Sequence, residues 1–186
     1  MKGLVIYKGK YGATKQYAMW VGQELHLPVA SADRFPRREL PKYDYIIIGS
    51  SVYIGKLEIR KWVRKNFAVL TTKKTFLFQV AASPADQKEK RESYNKASLP
   101  PELLQQSEPF YLPGKMKMKN LSWWDKFMLK MGARLTKDPV EKKKMLTDFN
   151  NVKRENIGPL IESVRKFEEI NEPEIALLQI FSPGQI

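Results

Sequence analysis

The chain has 186 residues, no cysteine, one histidine, and a formal charge of +13 with a pI near 9.8. That length suits one domain able to bury roughly 70% of its unfolded surface, and the lack of cysteine excludes disulfides, thiolate nucleophiles and cysteine-ligated metals. His26 alone cannot build a multi-histidine metal site, and a field this positive attracts nucleic acid, anionic lipid or acidic partners beyond the need of one bound phosphate.

In chain order, residues 3–7 read as a buried strand. The segment Lys8-Gly9-Lys10-Tyr11-Gly12-Ala13-Thr14 then forms a glycine-bearing turn and the start of a helix. A helix N-terminus leaves backbone N–H groups unpaired, and one phosphate can accept from several of them. Gly9 and Gly12 let the backbone approach a ligand, Thr14 adds a hydroxyl and Lys10 a charge. An ordinary strand–helix turn has the same outline. The first helix carries Ala18, Val21, Gly22 and Leu25 on one face, and His26 ends it, favourably placed for the C-terminal dipole.

Further strands are expected at residues 28–31, at 45–48 with Gly49 closing it, at 75–80 and at 109–112. The run Ile46-Ile47-Ile48 suits a strand covered on both faces. Ile59, Trp62, Val63 and Phe67 mark a second helix with Arg60, Lys61, Arg64 and Lys65 outward, and Trp62 reads as core. A polar stretch after residue 86 holds an irregular helix broken near Pro100-Pro101, and residues 155–170 form the last helix with Pro159 in its first turn. Alternating strands and helices imply an α/β fold: a doubly wound, five-stranded parallel sheet of order 2-1-3-4-5. In that order strands 1, 3 and 4 are neighbours. The loops Lys8–Thr14, Gly49–Lys56 and Gln79–Pro84 then converge beyond their carboxyl ends, with small residues leaving room for a flat ring and Tyr53 offering a face to it.

Between the fifth strand and the last helix lies a basic amphipathic insertion, about residues 115–146. Lysines 115, 117, 119, 126, 130, 137 and 142–144 interleave with Trp123, Trp124, Phe127, Met128, Met131 and Leu135. The spacing of Trp124, Phe127, Met128, Met131 and Leu135 gives an apolar stripe along a helix of about three turns. Two readings stand side by side: the stripe folds back onto the domain, or it meets an anionic membrane or a hydrophobic substrate. Tryptophan with lysine is the vocabulary of interfacial helices, while nucleic-acid contact is a third, weaker reading. Domain limits of 1–171 leave an apolar tail, 172–186, that packs on its own domain or on a neighbouring subunit. The N-terminus carries no cationic flank before a long apolar run, so a cytoplasmic location is expected, with peripheral membrane association through the insertion.

Val5-Ile6-Tyr7 through Gly12-Ala13-Thr14, with Tyr45-Ile46-Ile47-Ile48-Gly49-Ser50-Ser51-Val52-Tyr53-Ile54-Gly55-Lys56, resembles the flavodoxin-domain family. The nearest resemblance is to its branch of menaquinone-dependent protoporphyrinogen IX dehydrogenases, with Trp123-Trp124-Asp125-Lys126-Phe127-Met128 and Thr147-Asp148-Phe149 as further matches. The resemblance implies FMN as cofactor, with Gly9, Lys10, Tyr11, Gly12, Ala13 and Thr14 at its phosphate. It implies Ser51, Val52, Tyr53, Ile54, Gly55 and Lys56, with Ala81, Ala82 and Ser83, bordering the isoalloxazine ring. It also implies oxidation of a porphyrinogen-type substrate with a membrane quinone as acceptor; no single catalytic side chain is named. Gly9 and Ala13 depart from the family, where such loops usually carry hydroxyl or polar residues. Each lost hydrogen bond weakens FMN retention by about 1 kcal/mol. A non-enzymatic flavodoxin electron carrier, or a nucleic-acid-binding protein on a vestigial flavin fold, are the alternatives.

Overall fold

The computed structural model describes residues 1–82 and 87–171. Its elements in chain order are β1 Gly3–Lys8, α1 Ala13–Leu25, β2 Val29–Ser31, β3 Tyr45–Tyr53, β4 Lys56–Leu57, α2 Arg60–Lys65, α3 Phe67–Leu70 and β5 Lys74–Ala81. After these come α4 Lys88–Lys96, α5 Pro101–Gln106, β6 Ser107–Pro113, β7 Lys115–Met116, α6 Trp123–Leu135, α7 Pro139–Leu146, β8 Phe149–Asn150 and α8 Gly158–Asn171. Five parallel strands run in the order β2-β1-β3-β5-β6, which is the expected 2-1-3-4-5 once the short antiparallel β4, hung on β3, is set aside.

The sheet is buried on both sides because its apolar runs alternate between two cores. Val5, Ile47, Phe76 and Phe78 face the layer that holds α1 and α8. Leu4, Ile6, Ile46, Ile48 and Leu77 face the layer that holds Ile59, Val63, Leu70 and Leu103. Trp62 is half-buried against this second core, as its spacing predicts. Tyr17 ties α1 to the far edge of the sheet by donating to the Pro113 carbonyl at 2.8 Å. His26 stands at the end of α1 with φ 55° and its amide bonded to the Gly22 carbonyl.

Three expectations need correction. Gly49 does not close its strand, which continues through Ser50 and Ser51 to Tyr53. A Cβ at Gly49 would lie 2.1 Å from the Phe78 ring, so the glycine is there to admit that ring from β5. The residues read as one loop, 49–56, are therefore mostly strand, and the turn is only Ile54-Gly55, between the paired Tyr53 and Lys56. The second helix divides at Asn66, whose amide caps the Trp62 carbonyl at 2.8 Å before α3 begins. The insertion is more than one helix: α6 is followed by α7, and its ends meet in a two-strand stem, Lys115↔Asn150 and Met116↔Phe149. The tail 172–186 lies outside the described residues.

Candidate functional site

Strand register brings the site together. Lys8 pairs with Ser50, Ser51 with Val80, and Ala81 with Pro113, so β1, β3, β5 and β6 end in one row and their following segments share one crevice. Gly12 starts α1 with φ 83°, a left-handed conformation that suits glycine. The first turn of α1 contains no acidic side chain of its own to compete for its unpaired amides. Thr14 is buried beneath them at 1% exposure.

Gly9 has a steric reason. A Cβ there would lie 2.6 Å from the Thr14 hydroxyl and 2.7 Å from its Cβ, so a side chain at position 9 would require Thr14 to shift from the place it takes here. The neighbouring strand offers a hydroxyl instead. Ser51 Oγ lies 3.5 Å from that same Cβ position and is buried with no hydrogen-bond partner among the described residues. An orphaned buried hydroxyl next to a free helix N-terminus is a donor set that fits a phosphate.

Beyond this loop lies a cavity of about 340 Å³, within the range of small-molecule sites. Lys10, Tyr11, Ala13, Thr14, Ser51, Val52, Tyr53, Ile54, Ala81 and Ala82 all line it. Of the remaining expected residues, Gly9 supports it from behind, Gly12 sets the helix start, Gly55 completes the turn, Lys56 points into solvent on β4, and Ser83 lies outside the described residues. Ile54 is 63% exposed at φ 47°, a left-handed conformation that β-branched residues avoid, with Gly55 following at φ 70°. Strain of this kind concentrates at binding sites, where surrounding structure enforces it.

Sequence reasoning missed the cavity's other wall. Gly114, held by its amide to the Ala81 carbonyl at 2.8 Å, forms one edge. Leu121, Asp125, Met128 and Leu129 from the insertion, with Met145 from α7, close the outer side. Asp125 is the notable one. Its carboxylate, 9% exposed, accepts from Lys10 Nζ at 2.7 Å, from the Tyr53 hydroxyl at 2.5 Å, and from the Tyr11 hydroxyl. Lys10 Nζ also sits 3.9 Å over the Tyr53 ring and covers one of its faces. Burial works against the ammonium of Lys10, but hydrogen bonds to Asp125 and Tyr53 outweigh it and hold the group above the usual lysine range. Lys10 and Tyr11 are thus engaged with the insertion, whereas the phosphate reading placed them on the ligand. The Ser122-x-x-Asp125 spacing marks the start of α6, where Ser122 Oγ accepts from the Asp125 amide at 3.2 Å, but nothing in it says that the carboxylate turns inward.

The insertion helix faces the opposite way from a buried stripe. Its inner face is Asp125, Leu129 and Ala133, Met128 stands at the cavity rim and is 42% exposed, and Trp124, Phe127, Met131 and Leu135 face outward. Of the twelve exposed large hydrophobic residues among the described ones, eight belong to α6 and α7. Trp123 and Phe127 stack at 6.0 Å between ring centres and Trp124 and Phe127 at 5.5 Å, an aromatic plate turned to solvent. No described helix is long and apolar enough to cross a membrane, and the described residues contain no acidic or histidine cluster that could hold a metal.

A doubly wound sheet with a helix N-terminus and a ring-sized crevice at its carboxyl edge defines a nucleotide-binding α/β protein. The family model described as the flavodoxin domain matches residues 4–143, and the chain belongs to that family. The family points to FMN as the cofactor. Among solved structures, flavodoxin 1 from Bacillus cereus is 17% identical, covering 61% of this chain and 84% of its own, with a TM-score of 0.44. A flavodoxin from the domain Archaea is 19% identical, covering 60% and 85%, with a TM-score of 0.39. An azoreductase from Bacillus anthracis is 6% identical, covering 61% and 87%, with a TM-score of 0.42. No curated protein sequence matches the chain.

Proposed function

We propose that this flavin-binding protein is an FMN-dependent oxidoreductase that works at a membrane surface, passing electrons from a porphyrinogen-type substrate to a membrane quinone. One observation carries the reading. The cavity is walled by the flavin loops on one side and, on the other, by a helix whose outer face is an exposed aromatic and methionine stripe. A soluble carrier has no use for such a stripe, whereas a lipid interface buries it.

The amides of the first turn of α1, with the hydroxyls of Thr14 and Ser51, would hold the phosphate. Val52, Tyr53, Ile54, Ala81 and Ala82 would border the ring. The flavin supplies the two-electron chemistry. The chain's own part is to exclude water with Met128, Leu129 and Met145, and to place the ring close under the insertion. Lys126 and Lys130 lie on the helix that bears the aromatic plate, and Lys117 and Lys119 in the turn that precedes it. Their charge suits anionic headgroups, and equally the carboxylate side chains of a porphyrinogen. The same surplus of cations disfavours a carrier unless its partners are acidic.

The test is a flavin assay of freshly purified protein, followed by protoporphyrinogen oxidation with menaquinone in vesicles. FMN-dependent turnover that rises with anionic lipid supports the proposal. FMN binding with electron transfer only to acidic proteins would give the carrier reading instead. Absence of FMN together with salt-sensitive oligonucleotide binding would give the vestigial one.

A further inference from the structure

Asp125 joins parts of the chain that are far apart in sequence. Its three donors come from the loop after β1 and from the end of β3, on the flavin-loop side of the cavity, while the carboxylate itself belongs to the first turn of α6. Among the described residues, every side-chain hydrogen bond and ion pair from α6 to the sheet domain ends on this carboxylate. The rest of the helix's inner face is apolar, Leu129 and Ala133, and Gly132 and Thr136 meet Met145 of α7 within the insertion itself. The helix's polar attachment to the flavin loops is therefore a single point, charge-assisted hydrogen bonds gathered on a carboxylate that is only 9% exposed.

We infer that Asp125 is a positioning residue that clamps the insertion across the cavity, so that FMN enters and leaves when this carboxylate releases Lys10, Tyr11 and Tyr53. The inference takes its occupant, FMN, from the reading above; the clamp itself follows from the contacts alone. A gate has a kinetic signature. Opening it speeds entry and exit together and leaves affinity nearly in place. Removing one negative charge near an anion site, by contrast, speeds entry and slows exit.

The experiment compares the full-length chain with Asp125→Asn. Stopped-flow mixing of apoprotein with FMN, followed by flavin fluorescence, gives both rate constants. Limited trypsin cleavage in the lysine-rich segment 137–144 reports release of the insertion without flavin. The expected result is a roughly tenfold rise in both rate constants, the scale of losing a charged hydrogen bond, with affinity changed less than threefold. Cleavage should accelerate by a similar factor, because it follows the open population. Unchanged rates overturn the clamp. So does faster exit with unchanged entry, which would make Asp125 part of the cofactor grip. If Asp125→Asn does not fold, Tyr53→Phe removes one donor without stranding a charge and should raise both rates in the same sense, by less. If the parent chain takes up no FMN, the flavin reading fails and the gate with it, while the trypsin comparison still decides whether Asp125 holds the insertion.

Discussion

Replacing Trp123 and Trp124 by serine separates a lipid-facing plate from a piece of core. The two residues are 75% and 52% exposed. An aromatic side chain presents on the order of 200 Å² when free, so the pair leaves about 250 Å² in water. Little of that area is part of the fold, and the melting temperature should move by only a few degrees. If half of the exposed area enters the headgroup region, about 125 Å² at 25 cal/mol/Å² gives about 3 kcal/mol of partitioning. That is roughly a hundredfold loss of affinity for anionic vesicles. Co-sedimentation with phosphatidylserine-containing and purely neutral vesicles measures it, with FMN content determined on the same samples. Unchanged partitioning, or loss of FMN with a collapsed melting transition, would refute the argument, since the plate would then be either idle or structural.

Thr14→Val keeps the volume of a residue at 1% exposure and removes its hydroxyl, so FMN affinity should fall about fivefold with the fold intact, read by fluorescence titration. Ile54→Asn places a residue that tolerates the left-handed region where φ is 47°; chemical denaturation should show a gain of about 1 kcal/mol, and a loss would mean that Ile54 packs rather than strains. The phenols of Tyr17, Tyr45 and Tyr111 are all raised above the ordinary 10.0, chiefly by burial, and Tyr45 also donates to the Glu168 carboxylate at 2.6 Å. A neutral form favoured by the fold contributes stability that is complete below pH 10 and is lost as pH climbs through the raised values. Absorbance at 295 nm should therefore show these phenols ionising together with alkaline unfolding. Tyr45→Phe should remove one increment from that step.

The parallel sheet is readable because its three central strands carry short apolar runs, and runs such as Ile46-Ile47-Ile48 serve two cores at once. The loop after β1 has the outline of any strand–helix turn, and it is the convergence of three small-residue loops on neighbouring strands that makes the crevice legible. Gly49 misled because a glycine after isoleucines looks like a strand end, and only the Phe78 ring across the pair shows its other purpose. Gly9 looks like a deficit for a similar reason: the Thr14 side chain packed where its Cβ would go, and the Ser51 hydroxyl beside it, are brought there by the fold. Periodicity found the amphipathic stripe of α6 but carries no information on which side of a helix faces the domain. Here the apolar side faces out and a carboxylate faces in, the reverse of what burial of apolar surface alone would choose. Asp125 could not be found from sequence because its three partners lie 72 to 115 positions away.

The stem that pairs Lys115 with Asn150 and Met116 with Phe149 brings the two ends of the excursion within one strand spacing, about 5 Å, of each other. Everything from Lys117 to Asp148 thus leaves and rejoins the sheet domain through a single doorway. A tight two-residue turn grafted across it would seal the parent fold without rewiring any of the five parallel strands. The appendage is in this sense a detachable module, free to be exchanged or redesigned while the nucleotide-binding half keeps its connectivity.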